Sequence, residues 1–369
     1  MKLVIFGLTV TSSWGNGHAT LWRALWRAMV RRGHQIVFLE RDVPYYAAHR
    51  DLRELAGGEI VLYRDWAEVE SIARMHIAGG DVAMVTSYCP DAIAATELLS
   101  EWDAGVRVFY DLDSPVTLER LAAGERVPYV PPDGLGVYDL VLSYAGGDAL
   151  RQLRERLNAR RVAPLYGSVD PAAHFPVAPV DEFRGDLSYL GTYAVDRQES
   201  VHRFFLEPAR LAPQRRFMLA GAQYPQDFPW TSNIYFVRHL EPNRHPAFLC
   251  SSRLTLNVTR RAMAAVGYCP SGRLFEAAAC GVPIISDWWT GLEEFFTPGE
   301  ELLLARTTDD VLSALDMSDE KLRRLASAAR ERTLDEHTAD RRASELEREI
   351  ERTAADEMRG VGGVKAEVS

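Results

Sequence analysis

The sequence predicts an α/β protein made of two doubly wound, Rossmann-like halves, and three observations carry that expectation. Short β-branched runs alternate with amphipathic stretches twice along the chain, a pattern that builds parallel sheets covered by helices. A Pro-rich stretch holding Pro164, Pro171, Pro176 and Pro179 separates the two series. The 369 residues also exceed the roughly 250–300 at which a single hydrophobic core stops growing.

In the first half, strands are expected at Leu3–Leu8, Gln35–Glu40, Glu59–Tyr63, Val82–Ser87, Val106–Tyr110 and Leu140–Ser143. Several are continuous apolar runs, as suits parallel strands buried on both faces. Amphipathic stretches at Ala19–Arg32, Trp66–Ile77 and Asp91–Trp102 supply helices between them. Trp22 and Trp26, four apart, share one helix face and read as core. After the Pro-rich linker, strands are expected at Leu187–Leu190, Arg216–Leu219, Ile234–Val237, Leu254–Val258, Pro283–Ser286 and Leu302–Leu304. Charge-laced helices follow at Asp319–Glu336 and Thr338–Glu357. The expected division is 1–165, 180–335, a terminal helix over 336–358 and a flexible tail over 359–369.

Composition narrows the function class. With 47% hydrophobic and 25% charged residues the chain is an ordinary globular protein, neither disordered nor fibrous. A formal charge of −10 argues against a nucleic-acid groove made by bulk charge, so an anion must be gripped by placed arginines and helix ends. No apolar run reaches the ~18–20 residues that span a bilayer. The N-terminus reads as a first strand, not a signal peptide. Cys89, Cys250, Cys269 and Cys280 form no CxxC pair and have no histidines at zinc spacing. They read as free thiols in a reducing cytoplasm, with no metal site expected.

Ligands of open α/β sheets bind beyond the carboxyl ends of the strands, so the loops there hold the candidate residues. After the first strand, Gly15, Asn16 and Gly17 precede His18 at a helix start. This is no GxGxxG, and Glu40 stands in no dinucleotide context. His18 either caps its helix or faces a ligand. After the fifth strand, Asp111 and Asp113 hold sugar hydroxyls, take a proton, or form an Asx turn before Pro115. Gly146 lies in a further strand–glycine–helix turn. In the second half, Asn257–Arg261 ends a strand with a polar cluster that includes Arg260. Ser271, Gly272 and Arg273 then open a short helix. Free backbone donors, the positive end of a helix dipole and a guanidinium together suit a phosphate anion without a metal. Glu276, about one turn in, can accept from a ribose diol. Trp288 and Trp289 cannot both face the core easily, which leaves one to stack a sugar or gate a cleft, with Trp289 the donor-side candidate.

The run Glu276-Ala277-Ala278-Ala279-Cys280-Gly281-Val282-Pro283, followed by Trp289-Thr290-Gly291-Leu292-Glu293, resembles the donor signature of two-domain nucleotide-sugar glycosyltransferases. Tyr166–Asp170 with Phe175-Pro176 resembles their interdomain segment. More closely, the Gly15–His18 loop, Phe109–Pro115, Leu190–Tyr193, Asn257–Arg260 and Pro270–Glu276 are similar to the CgeB-type (spore-maturation-like) glycosyltransferases over about residues 1–345. The resemblance implies a GT-B fold, with acceptor bound by the N-terminal domain, donor by the C-terminal one, and a terminal helix crossing back. It implies a metal-independent hexosyltransferase that uses a nucleoside-diphosphate sugar as co-substrate, with a carbohydrate, protein or natural-product acceptor. Glu276 matches the ribose-binding glutamate, Gly191 and Thr192 the diphosphate loop, and His239 and Leu240 the base contact. Arg273 and Arg260 would carry diphosphate charge, and Gly15, Asn16, Gly17, Asp113 and Gly146 would face the acceptor. An inverting route would need His18 or Asp111 as base. One departure stands out: many retaining relatives carry a glutamate eight residues before the ribose one, and here that position is Tyr268. Two other readings fit the same fold: a nucleotide-sugar 2-epimerase using Asp111, Asp113 and Glu293, and a non-catalytic sugar- or nucleotide-binding protein.

Overall fold

The computed structural model describes the backbone of residues 1–366 and the side chains of residues 1–356. The chain divides into two compact units. One holds Met1–Ser12, Trp22–Tyr166 and the terminal helix from Asp340; the other holds Ser13–Leu21 and Gly167–Ala339.

The first unit is a seven-stranded parallel sheet of β1 (Lys2–Gly7), β2 (Gln35–Arg41), β3 (Gly58–Tyr63), β4 (Val82–Thr86), β5 (Val106–Asp111), β6 (Leu140–Ser143) and β7 (Val162–Pro164). The order is β3-β2-β1-β4-β5-β6-β7, so the winding reverses between β1 and β4. Central strands such as β4 are buried along their whole length, which is what their unbroken apolar runs require. Trp22 and Trp26 are both buried. With Leu3, Ile5, Met29 and Met84 they line one face of the sheet, and Leu346 of the terminal helix joins them. That helix, Ala339–Ala366, is tied to the same unit by Arg31–Asp340 at 2.9 Å and by the Arg32–Glu347 and Arg161–Asp356 pairs. Its backbone continues through most of the stretch expected as a tail, and 367–369 lie outside the described residues.

Glu40, at the end of β2, is occupied by its own chain. Its buried carboxylate accepts from the Val10 and Thr11 backbone N–H groups at 2.7 and 3.0 Å and from the Thr9 hydroxyl at 2.8 Å. The carboxylate therefore pins the loop after β1, a role distinct from gripping a dinucleotide ribose.

The second unit is a six-stranded parallel sheet of β8 (Gly185–Leu190), β9 (Phe217–Gly221), β10 (Ile234–Arg238), β11 (Ser252–Asn257), β12 (Ile284–Ser286) and β13 (Leu303–Leu304). Its order, β10-β9-β8-β11-β12-β13, places the switch between β8 and β11. Alternation along the strands feeds two cores. Leu187, Tyr189, Phe217 and Leu219 pack with Phe205 and Leu256 on one face. Leu190, Met218 and Ala220 pack with Phe183 and Phe248 on the other. Among the described residues no helix is long and apolar enough to cross a membrane.

Candidate functional site

In the second unit, the loops that follow β8 and β11 at the switch point meet the helix Gly272–Ala279. Ser271 stands at the N-cap but makes no side-chain cap bond, so its hydroxyl leaves the first-turn N–H groups uncapped. Arg273, in that first turn, donates from Nη1 to Asn257 Oδ1 at 3.1 Å. Asn257 is held in turn, its Nδ2 donating to Ser286 Oγ at 2.9 Å. Asp287 braces the adjoining loops by accepting from the Thr259 N–H and hydroxyl. Burial pushes the Asp287 carboxyl up to about 6.

The Arg273 guanidinium also lies 5.3 Å from the centre of the Tyr189 ring. Burial, together with the nearby charge of Arg197, lowers its pKa, an effect only partly offset by Tyr189, Glu276 and Tyr224. Arg197 donates from Nη2 to the Thr192 carbonyl, while its buried Nε has no partner among the described residues. Among the described residues neither guanidinium is paired with a carboxylate. Arg260, by contrast, is ion-paired with Asp196 at 3.0 Å. Sequence alone gives Arg197 no signal, since Val195-Asp196-Arg197 looks like any surface turn.

Gly191 follows β8 directly. A Cβ there would stand 2.9 Å from the Tyr189 hydroxyl and 3.0 Å from Arg273 Nη2, so any side chain would push one of the two aside. Its carbonyl accepts from the Tyr224 hydroxyl at 2.9 Å. Glu276 is half-buried on the helix face that meets His174 and His245, two residues sequence alone does not bring together. Its carboxylate accepts no hydrogen bond among the described residues. His239 adopts a left-handed backbone, φ 52°, and donates its N–H to the Gly221 carbonyl. Its ring sits 4.4 Å from that of Trp14, in the Ser13–Leu21 segment grouped with this unit. Leu240 beside it is buried.

The remaining candidates are placed as follows. In the Ser13–Leu21 segment, Gly15 has φ 60°, Gly17 begins the helix Gly17–Arg31, and the His18 N–H donates to Asn16 Oδ1 at 3.0 Å. Trp289 is fully buried against Phe295, while Trp288 is the exposed member of the pair and donates to Glu293 at 2.9 Å. Tyr268 has φ 47°, and its ring covers Gly291.

In the first unit, Asp111 is fully buried at the end of β5. Its Oδ1 accepts from the Asp113 N–H at 3.1 Å and from the Thr117 hydroxyl at 3.2 Å, and its Oδ2 has no partner among the described residues. Burial raises this carboxyl to about 7. Asp113 accepts from the Tyr88 hydroxyl at 2.9 Å, and Gly146 lies buried after β6.

Comparisons with known proteins agree with this architecture. A family described as "Glycosyl transferase-like" matches residues 197–348. The fold is that of the GT-B glycosyltransferases. Sucrose-phosphate synthase from Thermosynechococcus elongatus is similar with a TM-score of 0.70 and 13% identity, over 96% of this chain and 99% of that one. Anabaena HepE in complex with UDP and glucose gives 0.63 and 12%, over 95% and 99%. AviGT4, a glycosyltransferase involved in avilamycin A biosynthesis, gives 0.61 and 15%, over 96% and 98%. A search of curated protein sequences finds no match.

Proposed function

We propose that the protein is a glycosyltransferase that moves a sugar from a nucleoside-diphosphate sugar to an acceptor hydroxyl, as the CgeB-type resemblance implies. The observation that carries this reading is the pair Arg197 and Arg273, two guanidiniums that among the described residues have no carboxylate partner, beside an uncapped helix start. Two partly desolvated positive charges are costly unless an anion completes them. A diphosphate supplies the matching charge, and planar guanidiniums bind its oxygens in a fork.

Charge grows on the diphosphate as the glycosidic bond breaks, so donors already aimed there stabilise the transition state more than the ground state. The guanidiniums do at the diphosphate what a divalent ion does in other sites, so transfer needs no metal there. Glu276 takes the ribose hydroxyls, and His239 and Leu240 lie where the base would rest. Anabaena HepE, which shares the fold, is described in complex with UDP-glucose, which favours a uridine donor. The acceptor side falls to the loops after β1, β5 and β6.

The test is a panel of UDP-, GDP-, dTDP- and ADP-sugars, with donor hydrolysis and binding as readouts. Binding and slow hydrolysis of at least one donor are expected without added metal. Failure of every donor to bind or turn over would sink the reading.

A further inference from the structure

His174, His245 and Glu276 converge in the second unit from three separate elements. His174 lies in the segment that leads into β8, His245 opens the helix His245–Cys250, and Glu276 belongs to Gly272–Ala279. His174 Nε2 is 3.9 Å from Glu276 Oε1, and His245 Nδ1 is 4.0 Å from Glu276 Oε2. One ligating atom from each residue lies within 4.8 Å of the other two. These separations are too long for hydrogen bonds. His174 is only 6% exposed, yet among the described residues neither of its ring nitrogens has a hydrogen-bond partner, and His245 Nδ1 has none.

The tautomer of His245 is fixed by its surroundings. Its Nε2 lies 3.2 Å from the Leu240 carbonyl, which can only accept, so Nε2 carries the proton. Nδ1 therefore turns a bare lone pair towards a carboxylate. Two acceptors facing each other in a partly buried site leave room for something electropositive between them. The His174 backbone is held ready by its N–H bond to the Asp170 carbonyl at 2.9 Å. Glu276 retains enough exposure for an ion to enter.

We propose that His174, His245 and Glu276 form a binding site for a late first-row divalent cation, for which zinc is the probe. Two imidazoles and one carboxylate are a donor set such ions favour, and three protein ligands leave a fourth position for water. Bonds of about 2.0–2.2 Å at tetrahedral angles hold donors about 3.4 Å apart, so ion binding must draw these three side chains closer than the 3.9–4.0 Å that now separates each histidine from Glu276. The Leu240 carbonyl orients the His245 ring, as backbone carbonyls do for ligating histidines. The cation would share Glu276 with the ribose proposed above, so ion and nucleotide should exclude one another. That consequence alone rests on the donor reading.

The experiment is equilibrium dialysis of chelator-stripped full-length protein against zinc, with metal content measured per chain. Wild type should take up one zinc. His174→Ala and His245→Ala should each weaken uptake by at least about tenfold, the lower end of what losing even an outer hydrogen-bond partner costs a metal site. Near-UV circular dichroism of the metal-free variants checks that they are folded, and Glu276→Gln, which changes one atom's chemistry, serves should either alanine variant fail. Cys250→Ser should keep the zinc, because the neighbouring thiol is not a ligand. No uptake by wild type, uptake unchanged in folded histidine variants and in Glu276→Gln, or loss in Cys250→Ser would each overturn the proposal. UDP is titrated separately into zinc-free protein. Zinc uptake without UDP binding would support the cation site and count against the donor reading, and UDP binding without zinc uptake would do the reverse.

Discussion

Arg273 Nη1 donates to Asn257 Oδ1 across 3.1 Å, and among the described residues this is the guanidinium's one hydrogen bond. An amide, not a carboxylate, holds the charge in place. The guanidinium is thus oriented without being neutralised, which leaves its attraction for an anion intact.

Arg273→Ala should weaken diphosphate binding about ten- to a hundredfold, the usual worth of a charge-assisted hydrogen bond. Stability should fall only modestly, by about 1–3 kcal/mol, because the loss leaves the buried Asn257 Oδ1 without its donor but strands no charge. Calorimetric titration with UDP and a melting curve on the same sample check both halves.

Asn257→Asp would place a carboxylate where the amide now stands. It should pair with Arg273, raise the melting temperature of the ligand-free protein, and weaken UDP binding through repulsion. Asn257→Ala should weaken binding without the gain in stability.

Gly191→Ala should displace either the Tyr189 hydroxyl or Arg273 Nη2, since its Cβ would lie 2.9–3.0 Å from both. Overpacking of this kind costs about 1–3 kcal/mol of stability. Binding of UDP should fall further than that of uridine, and parallel titrations of the two ligands measure the gap.

Asp111 gives a pH signature. Its carboxyl is raised to about 7 by burial, against 3.8 in its ordinary state. Between those values the native state binds more protons than the unfolded state, so stability falls as pH rises through that window. The slope is at most about 1.4 kcal/mol per pH unit from this group. Asp111→Asn lacks it, so urea denaturation should show the variant gaining on wild type from pH 4 to pH 7 and holding its lead above.

Local signals were legible and assembled ones were not. The helix carrying Arg273 and Glu276 could be read because cap, helix, glycine stop and buried strand follow one another in sequence. The fate of Trp22 and Trp26 followed from helical spacing alone, and both are buried. β7 escaped because it is three residues long and ends at Pro164 inside a Pro-rich stretch. Arg197 and His245 escaped for a different reason: each gains meaning only from residues brought to it by the β8–β11 crossover. His174 is similar, an ordinary linker residue until Glu276 faces it. Burial was also hidden at Trp289, since adjacent tryptophans give no periodicity to say which one turns inward.

Titration of the full chain with UDP, GDP, ADP and dTDP, each beside its parent nucleoside, measures what the two guanidiniums contribute to diphosphate binding. At least one diphosphate should bind about tenfold or more tightly than its nucleoside, and the gap should close in an Arg197→Ala, Arg273→Ala double variant. Equal affinity for diphosphate and nucleoside in wild type, or a gap unchanged in the double variant, would contradict the assignment.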